Sequence, residues 1–178
     1  MRKIVAGLFV SLDGVVESPE KWHFPYFNDQ MEQVIGSQMA AADTMLLGRV
    51  TYQEFAGFWP QAGDQMADYM NKIPKVVVSS TLEAADWENS TLVRDNVVAE
   101  LTRLKEQPGK NISITGSATL VRSLLREDLL DELSLLVHPI VVGSGKRLFE
   151  PDSGQKALEL IGSETFSTGV LHLTYRPA

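Results

Sequence analysis

The 178-residue chain contains no cysteine, which excludes disulfides, thiolate nucleophiles, cysteine-type zinc sites and dithiol redox pairs in one step. It has no excess of positive charge. Its 16 lysines and arginines stand against 23 aspartates and glutamates, a formal charge of -7, and no segment gathers a basic run, so nucleic acid is not an expected partner. No apolar stretch approaches the ~20 residues a membrane helix needs. Met1 to Leu12 puts two basic residues ahead of an apolar run, but Asp13 breaks the run and no small-x-small cleavage site follows, so a signal peptide is set aside. Neither Gly-x-Gly-x-x-Gly nor a Gly-Lys-Ser/Thr loop occurs, which removes the two commonest phosphate fingerprints. Internal repeats and low-complexity tracts are missing as well. No metal and no membrane are expected, and the lack of disulfides fits a cytoplasmic protein.

With 44% apolar residues, the chain is long enough for one good core and too short for two ordinary domains, so residues 1–178 are read as a single domain. Its organising stretch is Asn111 to Leu125. Ile112 and Ile114 alternate with Ser113 and Thr115 as in a strand, and Leu120, Val121, Leu124 and Leu125 recur on one helix face. Between them Gly116 permits a sharp turn and Ser117 is a good N-cap. The free amides of Ser117, Ala118 and Thr119, with the positive end of a helix dipole behind them, would favour a phosphate. An ordinary strand-to-helix join in an α/β protein has the same look.

The rest alternates in the same way. Lys3 to Leu12 reads as a strand buried on both faces, ending in the polar turn Ser11-Leu12-Asp13-Gly14. Val15 to Phe27 is a loop dense in aromatics and prolines, either a satellite core or the wall of a pocket for a flat ligand. A helix capped by Asn28 or Asp29 runs to about Ala41; Thr44 to Leu47 is a strand, stopped at Gly48; Arg49 to Phe55 and Gln65 to Asn71 are helices; Lys75 to Ser79 and Thr91 to Val93 are strands; Asn96 to Gln107 is an amphipathic helix. After these, Glu132 to Val142, Ala157 to Ile161, Glu164 to Ser167 and Val170 to Arg176 read as strands, with Thr168-Gly169 as a hairpin turn. The order predicts an α/β fold: a mainly parallel, helix-flanked sheet closed on one edge by a C-terminal antiparallel hairpin.

Three strand ends carry phosphate-friendly groups: Gly48-Arg49-Val50-Thr51, Ser79-Ser80-Thr81 and Gly116-Ser117-Ala118-Thr119-Leu120. A parallel sheet brings such ends into one crevice, where a dinucleotide with two phosphate groups would be held. Asp13, at the mouth of the central strand beside Gly14, is the first choice for the catalytic and substrate contact, a plain turn aspartate being its alternative. His138 and His172 read as structural, while His23 could touch a ligand.

These motifs, in order at compatible spacing, resemble the dihydrofolate-reductase-like fold, and within it the C-terminal reductase domain of bifunctional riboflavin-biosynthesis enzymes and its stand-alone relatives. The likeness rests on Ser11-Leu12-Asp13-Gly14, Leu47-Gly48-Arg49-Val50-Thr51-Tyr52, Lys75-Val76-Val77-Val78-Ser79-Ser80, Thr115-Gly116-Ser117-Ala118-Thr119-Leu120, and Leu130-Asp131-Glu132-Leu133 leading into Pro139 and Gly143-Ser144-Gly145. The resemblance implies an NADPH-dependent oxidoreductase. Arg49 and Ser80, with Ser79, would meet the 2′-phosphate; Arg49 and Thr51, joined by Gly116 to Thr119, would meet the diphosphate. Small-molecule substrate contacts are expected from Asp13, Gly14, Trp22 and Asp29, with Asp29 or Glu32 corresponding to the pteridine-holding carboxylate of dihydrofolate reductases. A homodimer is implied too. Val15 stands where riboflavin-pathway members carry a lysine, Thr51-Tyr52-Gln53-Glu54-Phe55 departs from their pattern, and their zinc-binding deaminase domain is absent. These departures bear on the phosphoribosylaminouracil substrate. They leave open a catalytically silent NADP-binding sensor or structural protein.

Overall fold

The computed structural model of residues 1–178 is organised around its first strand. In β1 (Ile4–Ser11) the side chains of Ile4, Ala6, Leu8 and Val10 are buried on one face, while Phe9 packs on the other. The further strands are β2 (Ala42–Gly48), β3 (Lys75–Val78), β4 (Ser90–Val93), β5 (Asn111–Ile114), β6 (Glu132–His138), β7 (Leu158–Thr165) and β8 (Leu171–Pro177). They form one eight-stranded sheet in the order β4-β3-β2-β5-β1-β6-β8-β7. Every pairing from β4 through β6 is parallel, and β8 alone runs against its two neighbours. The expected α/β architecture, with its C-terminal antiparallel hairpin, is therefore present.

Five helices cover the sheet: α1 (Asp29–Ala40), α2 (Arg49–Phe58), α3 (Gln65–Lys72), α4 (Val97–Glu106) and α5 (Ala118–Arg126). Leu46 of β2 joins α4 and α5 in the main core, whereas its neighbours Met45 and Leu47 pack with Tyr52 of α2 and Met70 of α3 on the opposite face. Met31 of α1 lies on that second face too, over Leu136 and Phe166. The α5 stripe of Leu120, Val121, Leu124 and Leu125 is buried throughout, and burial of each aliphatic side chain contributes about 1.5–3 kcal/mol.

Two boundaries differ from the sequence reading. β6 stops at His138 because Pro139 has no amide to donate to a ladder, although Leu12 still donates to Ile140 O at 2.8 Å just beyond. Leu158–Thr165 is one strand rather than two, its register against β8 shifting between Leu160 and Gly162. Such a bulge breaks the alternation on which a strand is recognised.

Lys75, almost wholly buried, ties the second layer together. Its ammonium donates to Asn71 O (2.9 Å), Ile73 O (3.0 Å) and Glu88 O (3.0 Å) and lies 4.0 Å from the Trp87 ring centroid. Burial lowers its pKa to about 8. The contact with Asn71 O satisfies a carbonyl in the last turn of α3, where a cation is also favoured by the helix dipole.

Candidate functional site

The three strand ends singled out in the sequence belong to β3, β2 and β5, which are consecutive in the sheet, and the next strand is β1 with Asp13 just past its end. Gly48 and Val78 are register partners, so Arg49 and Ser79 leave the sheet side by side. The β2 and β5 turns touch: Gly48 N donates to Gly116 O at 3.2 Å. A Cβ on Gly48 would sit 2.4 Å from Ser117 Oγ, and one on Gly116 would sit 2.6 Å from Thr51 Oγ1. No side chain fits at either position, and α2 and α5 begin against each other at one rim.

Each group at this rim has its own surroundings. Arg49 is exposed, its guanidinium donating only to Gln53 Oε1 (3.1 Å) one turn along α2, and it joins no ion pair. Ser117 caps α5, its Oγ accepting from Leu120 N at 3.3 Å. The Leu120 amide is thereby occupied and its side chain buried, which leaves the first-turn amides of Ala118 and Thr119 as the free donors of that helix. The Ser79 hydroxyl is likewise engaged, accepting from Thr81 N (3.2 Å) and Leu82 N (3.1 Å), so Ser80 and Thr81 are the exposed groups of that turn. Thr51 is half-buried and Thr119 exposed.

Asp13, expected as the catalytic and substrate contact, is held by hydrogen bonds from its own chain. One carboxylate oxygen accepts from the Ser11 hydroxyl and from Val142 N (3.0 Å), and the other accepts from Gly143 N (2.8 Å). These bonds, that from Ser11 foremost, lower its pKa to about 2. At neutral pH Asp13 is an ionised clamp between the ends of β1 and β6, and it has no proton to give. Gly14 takes φ +87°, and its carbonyl accepts from Leu148 N at 3.0 Å, so the turn requires glycine and is cross-linked to the same later loop.

Trp22, expected as a substrate contact, packs in the loop after β1. Its ring is buried edge-on against His138 with centroids 5.1 Å apart, and Nε1 donates to Glu17 O at 3.2 Å. Four rings, those of Phe9, Trp22, His23 and Tyr26, stand nearly perpendicular to His138 at 5.1–6.0 Å. The His138 Nδ1–H donates to Leu136 O at 2.8 Å, and burial lowers the pKa of the ring, as burial does for His23. Asp29 is exposed at the start of α1, which is capped by Asn28 through Met31 N (3.0 Å). Sequence reasoning missed Phe24 and Phe27 as individual groups: both rings are exposed on this loop, Phe24 resting 4.2 Å from His23, which itself stacks on Phe9 at 4.5 Å. Their position in an aromatic loop was the available signal.

A parallel sheet in this strand order, with loops converging at the carboxyl rim and one antiparallel strand near its far edge, defines a dihydrofolate-reductase-like α/β protein. The chain belongs to the RibD C-terminal domain family, whose model matches residues 2–172. It is 30% identical over 186 residues to the uncharacterized protein YyaP of Bacillus subtilis (strain 168), covering 98% of this chain and 94% of that one. Among solved structures, a protein named for riboflavin biosynthesis from Shewanella sp. PV-4 superposes with a TM-score of 0.81 at 21% identity, covering 99% of both chains. A dihydrofolate reductase from Enterococcus faecalis, complexed with NADP(H) and RAB-propyl, gives 0.64 at 16% identity, covering 98% of this chain and 96% of that one.

Proposed function

We propose that the protein is an NADPH-dependent reductase that transfers hydride to a small flat or sugar-linked substrate, of the 5-amino-6-(5-phosphoribosylamino)uracil reductase or dihydrofolate reductase type. The observation that carries this reading is the contact between the β2 and β5 turns, with an unpaired guanidinium beside them. The glycines at Gly48 and Gly116 let two helix starts meet without an intervening side chain, and helix starts attract phosphate. Arg49 offers a planar fork of charged donors suited to the same group. Arg49 with Ser80 and Thr81 would hold a 2′-phosphate. Thr51 and the amides of Ala118 and Thr119 would hold the diphosphate. NADPH, when bound, supplies the hydride. The chain's own share is to fix the dinucleotide along the rim and to keep the β1 and β6 loops closed through Asp13.

Binding is read by the rise in nicotinamide fluorescence on titrating protein into NADPH. Arg49→Met is expected to weaken binding by about tenfold or more, the scale of one lost charge-assisted pair. Native protein that leaves the fluorescence unchanged at millimolar cofactor would remove the proposal.

A second reading has its own observation. With Asp13 ionised and His23 and His138 held neutral by burial, these three rim groups offer no ready proton at neutral pH, as suits an NADP-binding sensor without turnover. That reading expects binding with no NADPH oxidation against pterins, pyrimidines and quinones, and any sustained turnover rejects it.

A further inference from the structure

The segment that joins β3 to β4 is tied to α2 at both of its ends. At the rim Gly48 and Val78 are register partners, so Arg49 and Ser79 set out from one level. Further along, the backbone amide of Trp87 donates to the Tyr52 hydroxyl at 2.9 Å, and Tyr52 lies one turn along α2 from Arg49. The Trp87 indole Nε1 donates to Asn71 Oδ1 at 2.8 Å, and Asn71 Nδ2 donates to Trp59 O at 3.2 Å, just past the end of α2. Lys75 holds the same indole from β3, its ammonium 4.0 Å from the ring centroid. Tyr52, Asn71 and Trp87 thus form a bracket between the helix that carries Arg49 and the segment that carries Ser80 and Thr81. Tyr52 and Trp87 are buried with Met45, Leu47, Met70 and Val77, so their part is played through the backbone they join.

The bracket matters because the groups it spaces are exposed. Arg49, Ser80 and Thr81 all face water, and an exposed charge pair gains little when both sides have to be ordered to make it. A phosphate is held well only where the guanidinium fork and the hydroxyls already stand at a fitting separation. The same segment carries Glu83, Asp86 and Glu88, all exposed. Left loose, it would bring carboxylates toward a dianion as readily as hydroxyls. Arg94, which donates to Glu83 O from just past β4, is a further restraint on it.

We propose that Tyr52, Asn71 and Trp87 are positioning residues for cofactor choice. They set the separation of Arg49 from Ser80 and Thr81, and with it the preference for a dinucleotide that has a 2′-phosphate over one that lacks it. This deepens the NADPH reading and rests on it. The groups assigned to the diphosphate, Thr51 and the amides of Ala118 and Thr119, are spaced instead by the contact between the Gly48 and Gly116 turns. Loosening the bracket therefore acts on NADPH and spares NADH.

NADPH and NADH share the fluorescent nicotinamide and differ only in the 2′-phosphate, so one titration compares them. The native protein is expected to bind NADPH more tightly. Tyr52→Phe keeps the ring and removes the acceptor of the Trp87 amide, while Asn71→Ala, at a half-buried position, frees the indole and the Trp59 carbonyl. Each is expected to lower the NADPH:NADH affinity ratio by about threefold to tenfold, the scale of one hydrogen bond, with NADH affinity at its native value. Val170→Ala, wholly buried beside the start of β8, is expected to lower the melting temperature and leave the ratio unchanged, which separates spacing from a general loss of stability. A ratio unchanged in both bracket variants, or NADPH and NADH weakened alike, overturns the proposal and leaves the NADPH reading standing. Native protein that binds neither dinucleotide, or binds both equally, overturns the proposal together with that reading.

Discussion

At the scale of single residues, Asp13 and Arg49 show how neighbours decide whether a charge at a strand end is engaged within the chain or left available. Both stand at strand ends and both looked like ligand contacts. Asp13 meets two amides and a hydroxyl from its own chain, and its charge is absorbed there; Arg49 meets one glutamine amide, and its charge remains available. A carboxyl whose folded pKa is about 2, below its ordinary 3.8, adds stability that is fully present above the ordinary value and is lost as pH falls through about 2. Asp13→Asn is therefore expected to remove an acid-side dependence. Urea midpoints measured at about pH 3 and pH 6 should differ less in the variant than in the native protein. An unchanged difference would show that the clamp is not formed in solution.

At the scale of elements, the turns decide the site, and they were also the most legible part of the sequence. Ile112 and Ile114 alternating before Gly116, then Leu120, Val121, Leu124 and Leu125 at helical spacing, contain the β5–α5 join in full, because both periods are local. The same holds for the β2–α2 join at Gly48. What could not be read was anything set by contacts far apart in sequence. The Asp13 clamp bridges residues 129 and 130 positions away, and the ring box around His138 draws on Phe9 and Trp22 from the other end of the chain. The convergence of the two glycine turns follows from a parallel sheet, but their direct contact, Gly48 N to Gly116 O, belongs to this class too. Gly48→Ala places a methyl 2.4 Å from Ser117 Oγ, and overpacking of this kind costs about 1–3 kcal/mol. The variant is expected to lose that much in denaturant unfolding and to lose NADPH binding with it, while Gly57→Ala, where a Cβ meets nothing within 4 Å, is expected to lose neither.

At the scale of the whole molecule, strand order sets the phosphate-type turns next to the Asp13 loop, because β5 lies between β2 and β1. It also leaves β7 at the sheet edge, with Leu160 and Ile161 exposed and nothing packed over most of the strand. An uncovered apolar edge strand invites a second copy, and the family resemblance implied a homodimer. Sedimentation is expected to give the dimer mass, with Leu160→Glu shifting it toward the monomer; a native monomer would reject this assembly. No helix is long and apolar enough to cross a membrane. The measurement that bears most directly on the central claim is a crystal soaked with NADPH. Density for the dinucleotide is expected along the ends of β3, β2 and β5, with its phosphates against Arg49, Ser80 and the first turn of α5, and its nicotinamide toward Asp13 and Gly14. A dinucleotide bound elsewhere, with Arg49 and the Gly116 turn untouched, would contradict the account.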